Sequence, residues 1–307
     1  MKRLAVVLAA AAAVLLSACG PAESGSLGPA PTGAPAPPTT AAPVPSPPES
    51  PPASTASPAP PGTTGPGGGA SATPAAGLTI QLWFTRGGRL FPTRRTRPTT
   101  LETSKLALTE LTAGPSTVES AARVDSALVP RTTFRIKSLV GGVETVSFPN
   151  AFFAGGADVV RMRQAQVVYT LTQFPTVTRV NFVPDVEGPS ASGTRADYAD
   201  LLPQILVTNL VIGQRVPNPV TVAGSADVFE STVSLRILDV GGREIASTFT
   251  TASLCTVICT GHNRGDFRVA VPYRVPREQR GTIEVFSVSM ADGSRLFLVD
   301  LPVVLTP

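Results

Sequence analysis

Between Gly20 and Gly77 the chain is built almost wholly of Pro, Ala, Ser, Thr and Gly, as in APAPPTTAAPVPSPPESPPASTASPAPPGTTGPGGG. The stretch holds no aromatic residue, and Leu27 and Val44 are its only large aliphatic side chains. It cannot bury enough apolar surface to offset the entropy of ordering its backbone, which excludes it from any core. Its proline-rich part favours extended polyproline II, and its glycine-rich end is looser. At about 3.1 Å per residue, roughly 58 residues reach at most about 180 Å, against about 40 Å for a random coil. Residues 19–77 are therefore expected to form a disordered tether. Folding falls to the remaining chain, long enough for two domains of about 100 residues each.

Ahead of the tether, Lys2 and Arg3 precede an apolar run from Leu4 to Leu16, and the small residues Ser17 and Ala18 lead to Cys19. Crossing a bilayer takes roughly 20 apolar residues, so this shorter run reads as the core of a signal peptide, residues 1–18. The tetrad Leu16-Ser17-Ala18-Cys19 resembles the bacterial lipobox. That resemblance implies that the Cys19 thiol carries a diacylglycerol and that Cys19 becomes the new N-terminus. An ordinary secretory signal with an incidental cysteine is the alternative. One acyl chain holds only marginally, but each buried CH₂ adds about 0.8 kcal/mol, so two or three chains anchor stably. The expected product is an extracytoplasmic body, lipid-anchored to the cell membrane.

The first folded segment, residues 78–188, mixes strands and helices. LTIQLWFTRGGRLFPTRR alternates Leu78, Ile80, Leu82 and Phe84 and turns at Gly87-Gly88, a hairpin pattern. TTLETSKLALTELTAGPS places Leu101, Lys105, Leu108 and Leu111 near helical spacing, with Thr100 as N-cap and Gly114-Pro115 as stop. TTFRIKSLVGGVETVSFP predicts a second hairpin about Gly141-Gly142. ADVVRMRQAQVVYTLTQFP predicts the longest helix, with Val160, Val167, Leu171 and Phe174 on one face, widened by Ala165 and Val168. VTRVNFVPD closes as a strand, giving the order ββαββαβ and an α+β domain. The runs LFPTRR, LALTELTAGPS, ALVPRTTFRIKSLVGGVETVSF and RQAQVVYTLTQFPTVTRVNF resemble the GerMN domain of spore-germination and sporulation proteins. The resemblance implies a compact α/β module related to the ring-building motifs of secretion machines, without an implied active site.

EGPSASGTRADYADLLP is read as a polar divider, with residues 189–203 as linker. Beyond it, residues 204–307 alternate apolar and polar side chains in seven runs, from QILVTN to LFLVDLPVVL, with turn signals such as Gly241-Gly242 between them. That pattern predicts an all-β, immunoglobulin-like sandwich. VPNPVTVAGSADVFESTVSLRILDVGGREI, GDFRVAVPY and GTIEVFSVSMADGS resemble the immunoglobulin-like domain that accompanies GerMN in spore-germination proteins.

Catalytic equipment is sparse. The chain has one histidine, His262, and lacks HExxH, G-x-S-x-G, Walker and G-x-G-x-x-G patterns, so no cofactor and no catalytic residue is assigned and the protein is read as non-enzymatic. Asp185, Glu187, Asp197 and Asp200 cluster near the domain boundary. An acid–base pair there is the hydrolase alternative, and solvated charge is the plainer reading. Cys255 and Cys259 are expected to form a disulfide, since an even cysteine pair outside the membrane oxidises. Free thiols, or a metal site with His262 and Asp266, are the other readings, and the spacing fits zinc poorly. No metal is assigned. Gln166 and Tyr169 are read as helix-packing residues, and Phe229-Glu230 as a sandwich corner.

Charge is unevenly placed. Thirteen basic and eight acidic residues lie between Leu78 and Gly188, and nine of each from Gln204 to the end. Arg86, Arg89, Arg94, Arg95 and Arg97 crowd the first hairpin. Strand alternation lets only part of this set share a face, and Arg86, Arg89, Arg95 and Arg97 are singled out as an anion or partner patch. A solvated arginine-rich face is the alternative. The expected function is an envelope binding or assembly module in germination, sporulation or envelope maintenance. Its expected partners are envelope proteins, anionic wall polymers or further copies of itself, and not nucleic acid. A peptidoglycan- or glycan-binding accessory protein is the runner-up, which Trp83 and three tyrosines support poorly.

Overall fold

The computed structural model describes residues 77–254 and 264–307, all within one unit. Cys19, Cys255, Cys259 and His262 lie outside the described residues, as does the tether.

Strands β1 (Gly77–Arg86) and β2 (Arg89–Pro98) form an antiparallel ribbon in unbroken register from Gly77↔Pro98 to Arg86↔Arg89. Gly87 and Gly88 turn it with φ of +57° and +74°, which a side chain would resist. Ile80, Leu82 and Phe84 are buried as the alternation requires. Trp83, on the opposite face, is buried too, because its ring lies 4.7 Å from that of Tyr169. The ribbon is thus covered on both faces at its centre.

Helix α1 (Thr103–Ala113) starts later than the sequence predicts. Glu102, not Thr100, is the N-cap, and Leu101 is fully exposed ahead of the helix. The Thr100 hydroxyl instead accepts from the Glu102 amide at 3.2 Å, a turn that holds the entry. Gly114 ends the helix as expected, with φ of +86°. A short helix, α2 (Thr117–Ala121), follows. Ser116 and Glu119 cap it reciprocally, a capping box that the S-x-x-E spacing of residues 116–119 already carries.

Strands β3 (Arg135–Val140) and β4 (Val143–Phe148) form the second hairpin. After the short helix α3 (Asn150–Phe153), helix α4 (Ala157–Leu171) crosses over to β5 (Arg179–Pro184), which pairs parallel with β4. Strand β6 (Ala191–Gly193) completes a mixed sheet of order β3-β4-β5-β6. The order ββαββαβ stands, with α2, α3 and β6 added. Helix α4 packs on β1 and on β5, and α1 packs on β1 and α4. Contact on two sides makes every residue from Ala165 to Leu171 buried, rather than one stripe.

The segment read as a linker is not one. Within residues 189–203, β6 pairs with β5, and a 3-10 helix over Ala196–Leu201 buries Tyr198. The Arg161 guanidinium stacks over the Tyr198 ring at 5.5 Å. The β6 pairing and the burial of Tyr198 together fasten this polar stretch to the first domain.

The second domain is a two-sheet sandwich. One sheet has the order β11-β10-β14-β15-β8 and the other β12-β13-β9-β7. Its strands are β7 (Ile205–Val207), β8 (Arg215–Val216), β9 (Val220–Ala226), β10 (Thr232–Leu238), β11 (Glu244–Thr251), β12 (Ser253–Leu254), β13 (Gly265–Val271), β14 (Gln279–Val288) and β15 (Arg295–Leu305). The seven expected runs are all strands, and β8 and β12, of two residues each, are additions. Val222, Leu235, Ile283 and Val303 are among the buried side chains of the two sheets. Gly224 is forced by close approach, since a Cβ there would lie 1.9 Å from the Leu206 carbonyl oxygen. Phe229 does not pack at a corner: it is 73% exposed, carried outward by a tight turn in which Glu230 has φ of +53°. Among the described residues no helix is long and apolar enough to cross a membrane.

Candidate functional site

The register of the ribbon places Arg86, Arg89, Arg95 and Arg97 on one face, with Arg94 on the other. The four do not form an open anion patch, because the fold has already given them partners. Arg95 Nη2 donates to Glu119 at 2.6 Å, and Arg97 grips both oxygens of Glu110 at 2.7 and 2.8 Å. Arg86 meets the Asp300 carboxylate at 2.9 Å, and Arg89 donates to the Asp200 carbonyl. The reason is local: this face also carries Ile80, Leu82 and Phe84 into the core, so charges beside them must be neutralised. Arg94, on the far face, donates to the Asn209 carbonyl of the sandwich.

The acidic cluster is likewise divided among separate partners. Asp185 accepts from the Ser147 hydroxyl, and Asp197 accepts from the Thr194 amide and hydroxyl at 2.7 and 2.8 Å. Asp200 pairs with Arg161 at 2.6 Å. The bonds from Arg161 hold the Asp200 carboxyl below its ordinary range, and the Thr194 amide does so for Asp197. Gln166 and Tyr169 are core residues of α4. Gln166 bridges the Trp83 carbonyl and the Ala127 amide at 2.9 and 2.8 Å, and the Tyr169 hydroxyl donates to the Arg195 carbonyl. Asp266 is not part of any group of three or more metal-ligating side chains among the described residues.

A surface that composition did not single out is the β3 edge. All six residues of Arg135–Val140 are exposed, whereas β4 beside them is largely buried. β3 is the last strand of its sheet, so its outer N–H and C=O groups face no neighbouring strand among the described residues. Ile136, Leu139 and Val140 are exposed apolar side chains, interleaved with the cations Arg135 and Lys137. The ladder to β4 slips between Ile136 and Ser138, a bulge centred on Lys137. Bulges and edge lysines both blunt an edge against indiscriminate strand addition. The edge is thus apolar and basic, with its middle interrupted by the bulge. The alternation of RIKSLV was the signal in the sequence; its position at a sheet edge was not.

Comparison with known families decides the class. Residues 83–190 match the family described as sporulation and spore germination, and residues 204–294 match the immunoglobulin-like domain of bacterial spore germination. The chain is a tandem of two bacterial spore-germination domains. The GerMN-like domain ends near the 3-10 helix, and the immunoglobulin-like domain begins at β7. Among solved structures, the tandem GerMN domains of the sporulation protein GerM from Bacillus subtilis align at 13% identity and a TM-score of 0.34. That alignment covers 75% of this chain and 61% of that one, so this chain spans under two thirds of its length. The first GerMN domain of the same protein aligns at 19% identity over 36% of this chain and 86% of that chain, with a TM-score of 0.32. A putative lipoprotein from Clostridium perfringens aligns at 12% identity over 41% and 93%, with a TM-score of 0.28. No curated protein matches.

Proposed function

We propose that the chain is a non-enzymatic envelope module of germination or sporulation, anchored through Cys19, that docks an acidic partner strand on its β3 edge. The observation that carries this reading is the wholly exposed strand Arg135–Val140, open on its outer side and studded with Arg135 and Lys137. A partner strand added there gains main-chain hydrogen bonds from the edge and apolar contact with Ile136 and Val140. Carboxylates on the partner meet the two cations, which set orientation and speed encounter. Like charges at Arg135 and Lys137 disfavour a second copy on this edge, so the occupant is read as a different, acidic chain. The anchor and tether supply reach: two or more acyl chains at Cys19 fix one end. The arginine ribbon serves the fold, and no substrate turnover is part of this reading.

The test is photo-crosslinking from position 138 in cells of the native bacterium. The expected result is a discrete adduct with an acidic envelope protein, lost in Arg135→Glu/Lys137→Glu and weakened as salt rises past physiological strength, where the Debye length is about 8 Å. An adduct that survives both the double reversal and high salt overturns the charge-matched edge.

A further inference from the structure

Between the ribbon, α4 and the β7 side of the sandwich lies a cleft of about 640 Å³, a size typical of small-molecule sites. Its lining includes Arg94 and Arg195 and contains no Asp or Glu. Both cations differ from Arg86, Arg95 and Arg97 of the ribbon, and resemble Arg89, which has only a carbonyl partner. Arg86, Arg95, Arg97, Arg161 and Arg236 each meet a carboxylate, whereas neither Arg94 nor Arg195 has one within ion-pair distance among the described residues.

Arg195 is fixed in place by its neighbours. Its guanidinium packs against Tyr169 at 4.9 Å and Trp83 at 5.8 Å, two rings that lie 4.7 Å apart on one side of it, and its edge is left for hydrogen bonding. On that edge, Nε donates to the Thr172 hydroxyl at 2.7 Å and Nη2 to the Tyr169 carbonyl at 3.0 Å. Nη1 makes no bond among the described residues. Burial pulls this guanidinium below its ordinary pKa, the cost of a cation set among neutral groups. Trp83, 2% exposed, forms part of the wall, and its indole N–H meets no acceptor among the described residues. Leaving a buried donor unpaired is unfavourable, and proteins rarely do so without a use. Around these groups the cleft presents Leu202 and Leu206 together with the polar side chains of Gln81 and Thr208. Apolar and amide-bearing walls around two unneutralised guanidinium groups suit a carboxylate on an organic body better than a bare inorganic ion.

We propose that this cleft binds a small carboxylate ligand, an amino acid or the C-terminal end of a short peptide, with the carboxylate on the free edge of Arg195. Arg94 adds a second positive charge, and the Trp83 ring forms part of the wall beside Arg195. The site is remote in function from the β3 edge, and either can fail while the other stands.

Trp83 is the only tryptophan in the chain, so intrinsic tryptophan fluorescence reports on this wall alone. The detergent-solubilised full chain is titrated with N-acetyl-dialanine, with its C-terminal amide and with inorganic phosphate. The expected result is saturable change with the acid, at least about tenfold weaker binding of the amide, and no saturation with phosphate. Arg195→Gln should abolish saturation. Should that variant fail to fold, Arg94→Gln, which gives up only a bond to the Asn209 carbonyl, should weaken binding severalfold while still giving a folded protein that melts cooperatively. Absence of saturable change with the acid, equal affinity for acid and amide, saturation by phosphate, or indifference to Arg94→Gln would each overturn the assignment.

Discussion

Arg86 and Asp300 join the two domains twice. The guanidinium donates to the Asp300 carboxylate at 2.9 Å and to its main-chain carbonyl at 2.7 Å, linking residues 214 apart in the chain. The first hairpin is thereby tied to the last strand of the sandwich. Arg86 is mostly shielded, with 17% of its side chain exposed, while Asp300 is 47% exposed, so the ion pair itself is modest. A double-mutant cycle with Arg86→Ala and Asp300→Asn should give a coupling of about 1 kcal/mol. Because the carbonyl contact is also lost, Arg86→Ala alone should broaden or split the calorimetric transition. A cycle with no coupling would show that the carboxylate contact contributes nothing.

Arg95 and Arg97 sit two residues apart on the same face and should differ sharply. Arg95 and Glu119 retain only 13% and 7% side-chain exposure, and Glu119 also accepts from Thr93. Arg95→Ala leaves that carboxylate buried without its cation and should destabilise by about 3 kcal/mol. Arg97 is 41% exposed, and its loss should cost about 1 kcal/mol or less. Denaturant melts of the two variants decide the matter; equal losses would contradict the burial argument.

Two buried glutamates should respond to pH with opposite signs. Glu144 is 1% exposed with Ser104 as its hydrogen-bond donor, and burial raises its carboxyl above the ordinary value. A native pKa above the unfolded value of about 4.3 favours folding below that pH, and the contribution is lost as pH rises through the native pKa. Glu144→Gln should therefore raise the melting temperature at neutral pH and change it little near about pH 4. Burial also pushes Glu119 up, but bonds from Thr93 and Ser116 and the charge of Arg95 outweigh it and leave the carboxyl low. Its stabilisation is present above about 4.3 and fades as pH falls through the lowered native value. Glu119→Gln should be destabilising at pH 7, and that loss should shrink in acid. Melting curves over this range would contradict the account if both variants moved in the same direction.

Cys19 is expected to carry the lipid anchor. Growth with a labelled fatty acid should mark the protein, and Cys19→Ala should abolish both the label and fractionation with membranes. Label retained in that variant would place the anchor elsewhere.

What was legible in the sequence follows from the range of the interactions. Seven strands of the sandwich were readable because a half-buried strand writes its own period-two pattern, as in Thr232–Leu238, which buries Val233, Leu235 and Ile237 in turn. Helix α4 was readable in place but not in depth, since contact with both β1 and β5 buries residues that one-face periodicity assigns to solvent. The apparent linker is structured by pairing of β6 with β5 and by the Tyr198–Arg161 contact, neither of which a local pattern announces. The arginine ribbon shows the limit most plainly. Alternation put Arg86, Arg89, Arg95 and Arg97 on one face, yet their partners Asp300, Asp200, Glu119 and Glu110 lie 13 to 214 residues away. The cleft depends on the same kind of distance: Trp83 and Arg195 come from opposite ends of the first domain.

Hydrogen exchange along β3 tests the docking edge most directly, because the partner need not be identified for its footprint to be read. The full chain is compared in membranes from the native bacterium and as the purified protein. A strand added to the edge should slow exchange across residues 135–140 at least about tenfold in the membranes, and Arg135→Glu/Lys137→Glu should restore the fast rate. Equal exchange of residues 135–140 in both settings would contradict the account.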